Sequence, residues 1–318
     1  MNKIAVVGAS GFIGRHLVNI LTAHARQIAG VSLEPPPPGM HCADWLACDL
    51  TQDTGGLADF LSRFQPDALI HLAATSFEPL AARQPWHVLQ NNLLSTLNVL
   101  TVCRHLPDQT VCVIVSSSAV YGCHAQDGSP LTETHALNPL TTYGVSKLAV
   151  EALALQHWRA FGMRTIIIRP FNLTGPGEHA SFVTSAFARQ IALIEAGKQP
   201  AVIKVGNLGT VRDFTDVRDA ASALAAVAEL GQPGEVYNLC SGVGVTIDDL
   251  LRILLQATPI AIDVQADPTL MRPVEIQTQR GDSTKLKRTT GWQPRYALDQ
   301  TLADVLDDWR VRIQKLEG

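Results

Sequence analysis

The chain has 318 residues, of which 46% are hydrophobic and 17% charged, and a formal net charge of −4. That length suits one domain plus a smaller partner, and the composition is globular. The slightly acidic balance, with Lys and Arg scattered, leaves no electrostatic footprint for nucleic acid, and no apolar run reaches the ~18 residues of a membrane span.

Met1-Asn2-Lys3 runs straight into Ile4-Ala5-Val6-Val7-Gly8. The apolar core and small-residue cleavage site of a signal peptide are missing, so a buried first strand and a cytoplasmic location are expected. The cysteines (Cys42, Cys48, Cys103, Cys112, Cys123 and Cys240) form no C-x-x-C pair and no cluster with His. Free thiols and no metal site are expected.

Residues 3–8 read as a strand and 13–25 as a helix. A second strand over 27–33 ends in Glu34 and four prolines, Pro35 to Pro38, which can continue neither a helix nor a central strand. A short strand over 45–49, a helix over 55–63 and an apolar strand over 68–73 follow. A long helix is predicted over 86–105, a strand over 111–116, a helix over 143–161 and a strand over 164–169. Apolar strands alternating with helices predict an α/β fold with a doubly wound parallel sheet and right-handed crossovers. After Pro170 the rhythm loosens, with helices over 182–195, 217–230 and 247–257 and strands over 201–205 and 236–239. Residues 1–170 are therefore expected to form the dinucleotide domain, with about 210–245 returning to it. Residues 171–318 are expected to form a smaller, discontinuous mixed α/β lobe.

Gly8-Ala9-Ser10-Gly11-Phe12-Ile13-Gly14 sits between the first strand and the first helix. In that context the glycines permit a tight turn and close approach to a pyrophosphate, and the helix N-terminus offers free N–H groups. Asp49 and Leu50 are expected at the adenine. Leu72, Ala73 and Ala74 are expected where small residues admit the cofactor, while His71 reads more simply as a core histidine. An acidic residue ending the second strand would favour NAD; Ser32 stands there, Glu34 two residues on, and no arginine nearby. NADPH or NADH is the expected cofactor.

Tyr143-Gly144-Val145-Ser146-Lys147 places a tyrosine and a lysine at i and i+4 on one helix face. An ammonium beside a phenol stabilises the phenolate and lowers its pKa from about 10, so the tyrosine can exchange a proton with a carbonyl or alcohol. Alone, that spacing is common on helices. Here the serines Ser116, Ser117 and Ser118 close the preceding strand, and glycine loop, serine and Y-x-x-x-K stand in functional order.

On these motifs the chain resembles the extended short-chain dehydrogenase/reductase family over essentially its whole length. The resemblance implies a Rossmann domain holding NAD(P) and a lobe for a nucleotide-linked sugar. It makes Ser117, Tyr143 and Lys147 the catalytic residues, Asn92 a structural asparagine near the cofactor, and Arg169 a further cofactor residue. The segments Arg169-Pro170-Phe171-Asn172-Leu173-Thr174-Gly175-Pro176-Gly177, Ser181-Phe182-Val183-Thr184 and Val211-Arg212-Asp213-Phe214-Thr215-Asp216 are similar to those of GDP-4-keto-6-deoxymannose reductases and GDP-mannose dehydratases. Substrate contacts are accordingly expected from Ser118, Asn172, His179, Phe182, Val183, Arg189, Lys204, Arg212, Arg272 and Glu275. Arg212 and Arg272 are the main diphosphate candidates, because a guanidinium binds phosphate bidentately. Arg280 is a weaker one, and a surface salt bridge also accounts for Arg189 and Arg218.

Dehydratases of this branch carry an acidic residue two positions after the catalytic serine or threonine, and GDP-fucose synthases a cysteine. Ala119 stands there, and a methyl transfers no proton. The resemblance then implies one hydride and one proton: NAD(P)H-dependent reduction of the C4 ketone of a GDP-4-keto-6-deoxy-hexose. The expected product is GDP-D-rhamnose or its C4 epimer, GDP-6-deoxy-D-talose. A 4-epimerase with tightly held NAD, a non-catalytic NAD(P)-binding module and a reductase of non-nucleotide carbonyls are the alternatives. A homodimer through a four-helix bundle of helices 86–105 and 143–161 is expected.

Overall fold

The computed structural model describes residues 1–76, 78–122, 128–271 and 276–315. In chain order the first half comprises β1 (Lys3–Val7), α1 (Phe12–Ala23), β2 (Gln27–Ser32), β3 (Asp44–Ala47), α2 (Thr54–Phe64) and β4 (Ala68–His71), then α3 (Glu78–Arg83), α4 (Pro85–Cys103), β5 (Val111–Val115), α5 (Thr142–Phe161) and β6 (Arg164–Pro170). The second half comprises β7 (Asn172–Thr174), α6 (Val183–Glu195), β8 (Val202–Val205), β9 (Val211–Asp216), α7 (Val217–Leu230), β10 (Val236–Leu239), β11 (Gly244–Thr246), α8 (Ile247–Gln256), β12 (Asp263–Ala266), β13 (Thr278–Gln279), α9 (Thr284–Thr290) and α10 (Leu298–Lys315).

Seven parallel strands form the main sheet in the order β10-β6-β5-β4-β1-β2-β3. Its apolar strands are buried on both faces, and period-2 alternation divides each between two cores. Ile4 and Val6 join Leu17 and Leu21 of α1 and Leu224 and Val227 of α7. Ala5 and Val7 join Leu57, Phe60 and Leu61 of α2 and Val99 of α4 on the opposite face. The strand order reverses at β1/β4, and the carboxyl ends there open the crevice where such sheets bind ligands.

Chain order alone does not place β10, which returns after the second lobe begins and pairs with β6. In that lobe β9 pairs with β7, β11 and β13, and β8 pairs with β12. The short strands β7, β9, β11, β12 and β13 were not expected. Around β9 the lobe is cross-linked by a buried carboxylate: Asp213 accepts hydrogen bonds from Ser241 N and Oγ, Gly242 N and Gly281 N. The unexpected α10 buries Leu302, Val305, Leu306, Trp309 and Ile313 against α6 and α8. Those positions follow helical spacing. The five described cysteines carry free thiols, and Cys123 lies outside the described residues. No helix among the described residues is long and apolar enough to cross a membrane.

Candidate active site

A cleft of about 960 Å³ runs along the carboxyl ends of the main sheet and under the second lobe. Its floor is the Gly8–Gly14 loop. Gly8 has φ +90°, and a Cβ there would lie 2.7 Å from Ala73 N; one on Gly14 would lie 2.3 Å from Gly8 O. Only glycines let the loop fold onto β4 this closely. Helix α1 starts behind Gly11 with no side chain capping it, so the N–H groups of its first turn are available to an anion. A loop without Cβ atoms beneath an uncapped helix end fits a dinucleotide pyrophosphate. Ser32, Asp49, Leu50, Leu72, Ala73 and Ala74 line the same cleft.

Across the cleft, Ser116 and Ser117 follow directly on β5. Ser117 Oγ accepts from Ala119 N at 3.1 Å and starts a 3-10 turn over Ser118–Val120. The Thr141 hydroxyl caps α5 by accepting from Gly144 N, which fixes the turn presenting Tyr143. A Cβ on Gly144 would lie 2.7 Å from Ala119 O, so the glycine after Tyr143 lets α5 abut the serine turn. Ser117, Ser118, Ala119, Tyr143 and Lys147 all line the cleft.

Lys147 is buried and donates from Nζ to Val115 O at 2.8 Å. Burial brings its ammonium down to about 8, opposed by the Glu151 carboxylate. Beneath it, Glu151 accepts from Ser116 Oγ at 2.5 Å and from Arg169 Nε and Nη2 at 2.8 and 2.7 Å. Arg169 Nη1 also donates to the Tyr121 hydroxyl. His71 is fully buried, with Nε2 on Thr96 Oγ1 and Nδ1 unpartnered. Burial and the Lys147 charge lower its pKa to about 3, so it is a neutral core residue.

From the second lobe, Asn172, Phe182, Val183 and Arg212 reach the cleft. Asn172 Nδ2 donates to Asp213 O at 3.2 Å, and Arg212 Nη1 to Val211 O. Glu178, which sequence reasoning missed, also lines it. Its Oε2 accepts from Thr174 Oγ1 at 3.1 Å and Thr184 Oγ1 at 2.6 Å. Burial pushes the carboxyl up to about 8 despite those bonds. No sequence pattern marks a loop carboxyl that is buried only where the end of β7 meets the start of α6.

Several expected residues are not brought to the cleft. Arg169 is committed to Glu151 under the sheet end. Asn92 is buried and bonds Thr75 N, Thr75 O and Ser146 Oγ, which pins the β4 end to α5 rather than meeting a ligand. His179 faces its own loop through Ser181, Arg189 lies over the Trp309 ring, and Lys204 bonds Gln265 on the β8–β12 pair. Arg280 donates to Gly128 O. Arg272 and Glu275 lie outside the described residues.

The family described as GDP-mannose 4,6 dehydratase matches residues 5–305. A GDP-6-deoxy-D-mannose reductase of Pseudomonas aeruginosa is 38% identical, over 98% of this chain and 99% of its own. A GDP-6-deoxy-D-talose 4-dehydrogenase of Aggregatibacter actinomycetemcomitans is 26% identical over 91% of each chain. The solved structure of RMD from Pseudomonas aeruginosa complexed with NADPH superimposes with a TM-score of 0.86 at 36% identity, covering 98% of this chain and 100% of that one. A UDP-glucose 4-epimerase of Thermus thermophilus in complex with NAD also gives 0.86, at 25% identity over 97% and 99% of the two chains. With its glycine loop, serine turn and Tyr143–Lys147 helix inside that match, the chain belongs to the GDP-mannose 4,6 dehydratase family of extended short-chain dehydrogenases/reductases.

Proposed function

We propose that the chain reduces the C4 ketone of GDP-4-keto-6-deoxy-D-mannose with NADPH or NADH, giving GDP-D-rhamnose or its C4 epimer GDP-6-deoxy-D-talose. The observation that carries this reading is Ala119 lining the cleft beside Ser117 and Tyr143. A methyl stands where the dehydratases carry an acid and the epimerising reductases a cysteine. Residues 1–170, joined by α7 and β10, hold the dinucleotide, and residues 171–318 mainly hold the GDP-sugar.

Bound NAD(P)H supplies the hydride to C4. Ser117 donates a hydrogen bond to the carbonyl oxygen, and Tyr143 protonates the alkoxide as it forms. Lys147 holds the nicotinamide ribose and, while charged, lowers the pKa of Tyr143. Arg212 faces the diphosphate, Asn172, Phe182 and Val183 the sugar nucleotide. Exposed Trp86, Leu97 and Val145 on α4 and α5 suit a homodimer through those helices.

The test mixes purified protein with GDP-4-keto-6-deoxy-D-mannose and NADPH or NADH and follows the absorbance of reduced nicotinamide. Oxidation in step with substrate loss supports the reading, and NMR of the product distinguishes rhamnose from talose. Tyr143→Phe should remove at least ~99% of turnover while dinucleotide binding stays intact. Near-normal turnover in that variant would sink the assignment. NAD retained through purification, without net redox change, would instead favour the epimerase reading.

A further inference from the structure

Glu178 is a cleft carboxyl that the hydride and proton transfers leave unused. It stands in the loop between β7 and α6, 2% exposed, and lines the cleft beside Phe182 and Val183. Three oxygens meet at its side chain. Glu178 Oε2 lies 3.1 Å from Thr174 Oγ1 and 2.6 Å from Thr184 Oγ1, and the two hydroxyls are 2.8 Å apart. Each of these contacts requires a proton, and the two hydroxyls carry one each. With a carboxylate, one contact is left as two oxygens with no hydrogen between them. With a carboxylic acid, Oε2 donates to one threonine and accepts from the other, the threonines bond each other, and every contact is filled. The triangle therefore selects the neutral acid.

The neighbouring charges are engaged elsewhere. Among the described residues no cation forms an ion pair with the Glu178 carboxyl. Arg312 of α10 donates from Nη1 to the Glu178 main-chain oxygen at 3.1 Å and holds Asp308 through Nη2 at 2.5 Å. Asp216 of β9, opposite Thr174 in the strand register, is held by Arg218 of α7 and by Thr301. Arg189 of α6 lies over the Trp309 ring, and His179 bonds Ser181. His16 of α1 sits on Pro176 O, with its pKa lowered by burial. Burial brings the Glu178 carboxyl up to about 8, against the threonine bonds and Arg312.

The triangle holds one wall of the cleft together. Thr174 ends β7 and Thr184 lies in the first turn of α6, so the acid ties that strand to the helix that begins at Val183. Ionisation would remove one proton from the triangle and leave an unpaired buried charge, in a cleft that is to hold two diphosphates. We propose that Glu178 is a positioning residue: as a neutral acid it locks β7 to the start of α6, and the nucleotide sugar binds only to that protonated form. The inference rests on the nucleotide-sugar reading above and adds the group that links binding to a proton. Affinity is then full below about pH 8 and falls above it.

Calorimetric titration of the NADPH-saturated protein with GDP-mannose, which has no ketone to reduce, tests this from about pH 7 to about pH 9. With the acid form alone competent, parent affinity should fall about tenfold over that range. Glu178→Gln is uncharged throughout, so the ratio of its affinity to the parent's should rise about tenfold; titrations common to both proteins, Lys147 included, cancel in that ratio. In the reductase assay the same change should appear in the KM ratio, with the kcat ratio independent of pH. Infrared difference spectra near the upper pH should show a protonated-carboxyl band that appears when GDP-mannose binds the parent. That band reports on the parent alone, even where the variant folds poorly. An affinity ratio constant with pH, a change confined to NADPH affinity or to kcat, or no carboxyl band would overturn the linkage and leave the reductase reading standing. Absence of GDP-mannose binding at every pH in both proteins would overturn the nucleotide-sugar reading, and this inference with it.

Discussion

Replacing Glu151 with glutamine probes the charge network that joins the serine turn to the tyrosine helix. Glu151 and Arg169 side chains are 3% and 4% exposed, and the carboxylate takes three hydrogen bonds at 2.5 to 2.8 Å. Glutamine keeps the shape but strands the guanidinium as a buried cation facing only neutral acceptors: the amide oxygen, the Tyr121 hydroxyl and the Glu133 carbonyl. Breaking a buried pair from one side costs about 3–5 kcal/mol. Because the amide oxygen still accepts at least one bond, the low end applies, ~3 kcal/mol. At a urea m-value of ~3 kcal/mol/M the unfolding midpoint should fall by about 1 M. Removing both charges at once, Glu151→Leu with Arg169→Met, should recover at least half of the loss, because no buried charge is left unpaired. Equilibrium urea unfolding of the two variants and the parent reads this directly. A loss under ~1 kcal/mol for the single variant, or a double variant less stable than the single one, refutes the argument that desolvation dominates here.

Lys147, held at about 8 by burial, must be protonated to support Tyr143. The kcat/KM for reduction should therefore fall as pH rises through about 8, and Glu151→Gln should move that fall to lower pH; a profile flat to roughly pH 10 would reject the role. Glu178 has its folded pKa raised from 4.5 to about 8, so its burial costs nothing below the unfolded pKa and most above the folded one. Glu178→Gln should gain stability over the parent as pH climbs between those values and level off above, with a ceiling of ~5 kcal/mol; a gap that is constant with pH contradicts the burial argument. Gly14→Ala puts a Cβ 2.3 Å from Gly8 O and 2.6 Å from Ala9 O. Dinucleotide affinity should drop more than about tenfold as the loop opens, and unchanged affinity by titration would show that the loop is not the pyrophosphate cradle.

Much of this architecture is legible in the sequence. Ile4-Ala5-Val6-Val7, Ala68-Leu69-Ile70 and Val111-Cys112-Val113-Ile114-Val115 carry no polar alternation, and each became a central strand buried on both faces. The spacing from Ser117 to Tyr143 to Lys147 was equally visible, and the three side chains do line one cleft. Helix α10 was legible too and was missed, although Leu302, Val305, Leu306, Trp309 and Ile313 keep helical spacing.

The sequence by itself determined the main sheet, the glycine loop and the Tyr143–Lys147 helix, because their signals are local: a period of two or of 3.6, a turn that tolerates only glycine, an i to i+4 pair. Tertiary structure alone decided which side chains share the cleft. Arg169 left the expected cofactor set because Glu151 holds it beneath the sheet end. Glu178 entered because β7 and the first turn of α6 bury it among Thr174, Thr184 and Ser185. Each of these contacts joins residues whose approach depends on how packed elements meet, and no local periodicity records that meeting.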